Sequence, residues 1–214
     1  MRWPPPARSA NIRPTMAALD PQAMLRRRLT QAALCTLLAA PALSYANAED
    51  DLWDALRKGT NVVLLRHGLT TPGVGDPPGF KLDDCSTQRN LTDEGRAQAG
   101  RVGEAFRAHN IVIDRVLSSP WCRCIETARL AFDSTPEKAP ALSNLFGRPE
   151  NRDPQIADLR KLLGGFGGRG NLVLVSHGST IVALTGVSPE PAEAVVVKPD
   201  GGGNFSVLGR LSPR

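Results

Sequence analysis

Apolar runs of strand length alternate along the chain with amphipathic stretches of helical length. Asn61-Val62-Val63-Leu64-Leu65 is a continuous apolar run, as in a strand covered on both faces, and Leu172-Val173-Leu174-Val175 repeats it. Val112 to Leu117 is a third strand candidate. Ala194 to Val197 and Asn204 to Leu208 flank the turn Asp200-Gly201-Gly202-Gly203. Helices are expected at Asp51 to Lys58, stopped by Gly59; from Leu91 to about Ala108, with Thr92 as N-cap and acids in the first turn; and from Trp121 to about Phe132, with Ser119 as cap and Pro120 at the first helical position. Two more are expected around Pro154 to Leu163 and from Ser179 to Leu184. The alternation predicts an α/β fold with a mostly parallel sheet covered on both faces. Residues 69–90 form a polar loop rich in Gly, Pro and Asp. The glycines at 164, 165, 167 and 168 precede a strand, so they form a connection rather than a phosphate-cradling loop.

One apolar stretch does not fit this alternation. Ala32 to Ala42 has no polar face, follows Arg26-Arg27-Arg28 and precedes the small-x-small site Ala46-Asn47-Ala48. It reads as a secretory signal, too short to span a bilayer comfortably. The expectation is a leader over residues 1–48, with Met16 or Met24 as alternative starts. One domain over 49–214 would follow, periplasmic or secreted, with no stable membrane anchor after cleavage. Charge supports the division. Of 26 Lys+Arg and 21 Asp+Glu, residues 1–48 hold six Arg and one acid, Asp20, so the rest is formally neutral with 20 of each. A nucleic-acid binder needs its excess charge in the folded part, and that class is excluded. Export leaves Cys85, Cys122 and Cys124 in an oxidising compartment, where at most one intramolecular bridge can form. Cys122-x-Cys124 with one distant Cys is no four-ligand zinc set, so no metal or other cofactor is expected.

Ligand sites in open α/β sheets lie beyond the carboxyl ends of strands. Two strands here run into histidine, as Arg66-His67-Gly68 and Ser176-His177-Gly178, in a chain with three His. Singly, each reads more readily as a core histidine. Two at equivalent strand ends, each followed by Gly, point to a site. His109, at a helix C-terminus, suits the dipole and reads as structural. Arg123 follows a third strand end and sits near a helix N-terminus, where a cation is mildly unfavourable without an anion to face. Arg66, His67, Arg123 and His177 therefore form a positive pocket in a neutral domain. Arginine forks match phosphate oxygens, and a neutral imidazole can attack phosphorus.

Leu65-Arg66-His67-Gly68-x-Thr70, Leu91-Thr92-x-x-Gly95-x-x-Gln98-Ala99, Ser118-Ser119-Pro120-x-x-Arg123-x-x-x-Thr127-Ala128 and Val175-x-His177-Gly178 occur in that order. In these motifs the chain resembles the histidine phosphatase (phosphoglycerate mutase-like) superfamily, branch 1. The resemblance implies a three-layer α/β/α sandwich and metal-free covalent catalysis. His67 would become phosphohistidine, while Arg66, Arg123, His177 and Gly178, with Thr70 as a weaker candidate, would hold the phosphoryl group. It departs from the family at one place. The usual Leu-x-Glu-x-x-Phe-Gly stretch is Leu142-Ser143-Asn144-Leu145-Phe146-Gly147, which puts Asn144 where a proton-donating Glu is expected. Glu150, Asp84, Asp83 and Asp76 are the alternative donors, each also readable as a solvated loop acid.

The expected function is an exported phosphomonoesterase acting on a phosphorylated small molecule, a cell-envelope phosphate or a phosphoprotein. The alternative is a phospho-ligand-binding protein that lost catalysis with its Glu. Mutase activity is disfavoured, because the short segment between Arg123 and His177 leaves little room for a lid. Cys124 stands at the family's small-residue position with Ala128 and Ala131 on its helix face, whereas Cys122 lies with Glu126 and Arg129. The expected bridge is therefore Cys85–Cys122, with Cys124 free and buried.

Overall fold

The computed structural model describes residues 48–212, all within a compact unit spanning Tyr45–Arg214. The expected signal segment lies outside the described residues. Helix α1 covers residues 48–58 and stops at Gly59, whose φ of 77° lies in the left-handed region that glycine enters without strain. Strand β1 (Val62–Arg66) follows. After the long loop come α2 (Asp93–Ala108), β2 (Ile113–Ser118), α3 (Cys122–Phe132) and the short β3 (Glu137–Lys138). Then come α4 (Arg152–Gly164), β4 (Asn171–Ser176), α5 (Gly178–Thr185), β5 (Ala194–Pro199) and β6 (Phe205–Leu211).

The strands make one sheet in the order β3-β2-β4-β1-β5-β6. The first four are mutually parallel; β5 runs antiparallel to β1, and β6 antiparallel to β5. The alternation of Cβ directions along β1 and β4 sorts their side chains between two cores. Val63, Leu65, Val173 and Val175 face Leu56, Phe106 and Ala128, from α1, α2 and α3. Val62, Leu64, Leu172 and Leu174 face Leu159, Leu163 and Ile181, from α4 and α5. A strand apolar on both faces is stable only between two helical layers, so the three-layer sandwich follows from the runs themselves.

Thr92 caps α2 as expected, accepting from the Gly95 amide at 3.0 Å. Ser119 does less capping than its position predicts. Helix α3 begins at Cys122 with Trp121 as N-cap and no side-chain cap, while Ser119 Oγ lies 2.8 Å from His177 Nε2. A buried imidazole nitrogen needs a partner more than the solvated start of a helix does. His109 is the C-cap of α2, stacked on Trp53 with ring centroids 4.1 Å apart.

The loop from 67 to 92 is held at both ends. A Cβ on Gly68 would lie 2.4 Å from the Gly95 carbonyl oxygen, and one on Gly95 would lie 2.1 Å from that of Leu69. Two glycines from separate motifs thus let the end of β1 touch the first turn of α2. At the other end Cys85 and Cys122 form a disulfide with Cα atoms 5.6 Å apart. Cys124 is free and buried.

Candidate active site

Strands β2, β4 and β1 are parallel neighbours, so their carboxyl ends open on one edge of the sheet. His67 leaves β1 there, His177 leaves β4, and Arg123 stands on the second residue of the helix after β2. A cavity of about 870 Å³ opens over these ends, its floor formed by Arg66, His67, Asp76, Arg89, Arg123 and His177.

His67 and His177 face each other with ring centroids 5.3 Å apart. Nδ1 of His67 is 2.8 Å from the Gly68 carbonyl oxygen, which can only accept, so Nδ1 carries the hydrogen and Nε2 keeps its lone pair. Burial first, and the Arg123 charge second, push the His67 pKa down to about 3. The ring is a neutral nucleophile throughout the physiological range. His177 is also held neutral, by burial, by His67 and by Arg123. Arg123 Nη2 donates toward its Nδ1 at 3.5 Å, which leaves Nε2–H to donate to Ser119.

Three arginines share one arrangement. Each ties an η nitrogen to a protein oxygen: Arg66 to the Pro189 carbonyl at 2.8 Å, Arg89 to the Val74 carbonyl, and Arg123 to Asp76. Each leaves its buried Nε without a hydrogen-bond partner. Unpartnered buried N–H groups are rare in folded proteins, and three on one cavity mark a place for an anion. Burial lowers the pKa of both Arg66 and Arg89; Glu190 and Glu193 oppose this at Arg66, while Arg123 adds to it at Arg89.

Of the four acids considered as donors, the fold brings only Asp76 to the cavity. Its Oδ1 accepts from Arg123 Nη1 at 2.8 Å and from the Arg89 amide at 3.0 Å, and its Oδ2 accepts from Arg123 Nη2 and Trp121 Nε1, each at 3.2 Å. Burial alone would raise its pKa, but the bonds from Arg123, Arg89 and Trp121 together hold it below the usual carboxylate value. A carboxylate held ionised in this way has no proton to give. Asp84 instead caps the short turn at Cys85–Thr87, and Asp83 and Glu150 are exposed away from the cavity. Asn144 does line the cavity, its Oδ1 accepting from the Phe146 amide at 3.1 Å and from Ser179 Oγ at 2.8 Å. Gly178 also lines it. Thr70 does not: it is buried and bridges backbone to backbone with Leu91.

Sequence reasoning missed Arg89, Arg148, Phe80 and Phe146, which all line the cavity. They lie on irregular segments, where no periodicity marks an inward position. The only signal available for Arg89 was a cation two residues before the Leu91-Thr92 motif. Among the described residues no group of His, Cys, Asp and Glu could hold a metal ion.

The sequence model of the Histidine phosphatase superfamily (branch 1) matches residues 62–161. A 2,3-bisphosphoglycerate-dependent phosphoglycerate mutase of Mycobacterium leprae (strain Br4923) is 38% identical over 73 residues, which are 34% of this chain and 28% of the mutase. The match thus spans little more than a quarter of that relative's length. Among solved structures, the protein histidine phosphatase SixA complexed with tungstate superposes with a TM-score of 0.52 at 20% identity, covering 72% of this chain and 97% of that one. A phosphoserine phosphatase mutant from Entamoeba histolytica, in complex with phosphoserine, gives a TM-score of 0.52 at 16% identity over 72% of this chain and 98% of its own. At these identities the likeness is one of fold.

Proposed function

From the chain's membership of the histidine phosphatase superfamily, branch 1, to which it belongs, we propose that it hydrolyses phosphate monoesters through a phosphohistidine on His67. One observation carries this reading. Three buried guanidinium Nε–H groups without partners share a cavity with a neutral imidazole whose Nε2 lone pair is free.

In the proposed reaction His67 Nε2 forms the N–P bond as the bond to the leaving oxygen breaks. Arg66, Arg89 and Arg123 face the phosphoryl oxygens, whose charge they offset as it redistributes in the transition state. Water then attacks phosphorus, the N–P bond breaks, and inorganic phosphate leaves. With Asn144 in place of an acid and Asp76 held ionised, the leaving oxygen takes its proton from solvent. Esters of acidic alcohols and phenols are therefore the better substrates. Hydrolysis is favoured over mutase chemistry by the short path from Arg123 to His177, which is used up by β3, two single turns, α4 and β4. Export belongs to the same reading, supported by the leader pattern and the Cys85–Cys122 bridge.

Asn144 favours a second reading, in which the pocket binds phosphorylated ligands without turning them over. Rapid mixing with an aryl phosphate separates the two. A burst of phenol and an acid-labile phosphoprotein, both lost in His67→Ala, are expected of the enzyme. A parent protein that shows neither is a binder.

A further inference from the structure

Resting on the phosphomonoesterase reading, the next inference concerns what the ester carries. The cavity is several times larger than a phosphoryl group needs, so most of it lies around the leaving group. Among the described residues eight large apolar side chains are exposed, and three of them, Val74 at 52%, Phe146 at 81% and Val182 at 39%, line this one cavity. They come from the loop after β1, the segment before α4, and α5, so no local sequence feature explains their meeting. Phe80 extends the apolar wall inward, its ring centroid 5.9 Å from that of Trp121. The Arg148 guanidinium lies 5.9 Å from the Phe80 ring and 5.4 Å from the Trp121 ring. Exposed apolar side chains scattered singly need no explanation, but a cluster at the mouth of a polar pocket marks a contact surface.

The polar groups of the wall argue the same way. A polyol is held by carboxylate and amide oxygens that accept from its hydroxyls. The only carboxylate on the cavity is Asp76, and both of its oxygens are occupied by Arg123, Arg89 and Trp121. The only side-chain amide is Asn144, whose oxygen already accepts from Phe146 and Ser179. Little is left to bind a sugar ring, whereas a hydrocarbon finds Val74, Phe80, Phe146 and Val182. We infer that the substrate is an amphiphilic phosphomonoester, with its phosphate on the arginine floor and an alkyl or aryl leaving group against this apolar lip.

The test is a homologous series. Phenyl, 4-propylphenyl and 4-hexylphenyl phosphate share nearly the same phenol acidity and differ in apolar surface. kcat/KM should rise at least about tenfold from the first to the last, since each methylene buried tightens binding by about threefold to fourfold. Phe146→Ser should flatten that slope. Because the readout is a ratio within each variant, a general loss of activity does not imitate it. Titration of ethyl-, butyl- and hexylphosphonate gives the same comparison without turnover, and affinity should again climb with length, with glycerol 3-phosphate weaker than hexylphosphonate. Flat dependence on length in both series, or tighter binding of the polyol phosphate, overturns the amphiphile assignment and leaves the phosphatase reading intact. If neither inorganic phosphate nor any phosphonate binds, the phosphate site itself fails, and this inference with it.

Discussion

The Asp76 carboxylate lies fork to fork on the Arg123 guanidinium, Oδ1 2.8 Å from Nη1 and Oδ2 3.2 Å from Nη2. Arg123 has no exposed side-chain surface and Asp76 only 9%. A carboxylate has the planar two-oxygen edge that a phosphoryl group presents to arginine, so Asp76 competes with substrate for the fork. In Asp76→Asn a full negative charge is lost among four cavity arginines. Inorganic phosphate should bind about tenfold tighter by titration calorimetry, while folding stability falls by roughly 1–3 kcal/mol as the buried pair is broken. Weaker phosphate binding in this variant would show that Asp76 orients Arg123 rather than blocking it.

Arg89 and Arg123 should differ in what they contribute. Arg123→Lys keeps the charge but not the planar fork, and kcat/KM should fall at least about tenfold, on the order of 1.4 kcal/mol. Arg89→Met keeps the length and loses the charge. Its affinity for tungstate should fall about fivefold to tenfold, comparable to one partly screened charge interaction. Unchanged tungstate affinity places Arg89 outside the anion site.

Acid should destabilise the fold through His67. Its pKa is pushed down to about 3 in the folded protein, against about 6.5 for a free imidazole. Between these values the unfolded chain binds a proton that the folded chain refuses. Stability is therefore unaffected above about pH 6.5 and declines as pH falls toward about 3. His67→Gln removes this contribution, so urea unfolding at pH 7 and pH 4 should show the parent losing roughly 3 kcal/mol more than the variant. Equal losses would mean that the ring is not held neutral.

The disulfide should tie stability to the shape of the site. Cys85 and Cys122 are 37 residues apart, and closing such a loop restricts the unfolded chain enough to contribute about 4 kcal/mol. The Cys122 amide also donates to Gln88 Oε1 at 3.0 Å, next to Arg89. Cys85→Ser, or reduction of the parent, should lower the unfolding free energy by about that amount and weaken phosphate binding together with it. Cys124, its thiol pushed up to about 12 by burial, should resist alkylation until the protein unfolds. Reduction that leaves both stability and phosphate affinity unchanged counts against the coupling.

The sequence by itself determined the layers and the residues at the strand ends. Apolar runs such as Val62 to Leu65 leave no solvent face, and His67 and His177 lie one or two residues beyond such runs, so their edge of the sheet was legible from chain-local pattern. The choice of Cys122 over Cys124 was legible too, because neighbouring helical residues point about 100° apart. The tertiary structure decided everything that depends on where irregular chain travels. Asp76, Asp83 and Asp84 are equivalent polar loop residues in sequence, yet only Asp76 meets Arg123, because the loop is pinned by the Gly68–Gly95 contact and by the disulfide. Arg89, Arg148, Phe80 and Phe146 reach the cavity in the same way, by long-range packing that leaves no periodic trace. Ser119 reads as a helix cap until His177, 58 residues away, takes its hydroxyl. A regular element fixes side-chain direction through its own repeat, whereas a loop residue takes its direction from distant contacts that are absent until the whole chain has folded.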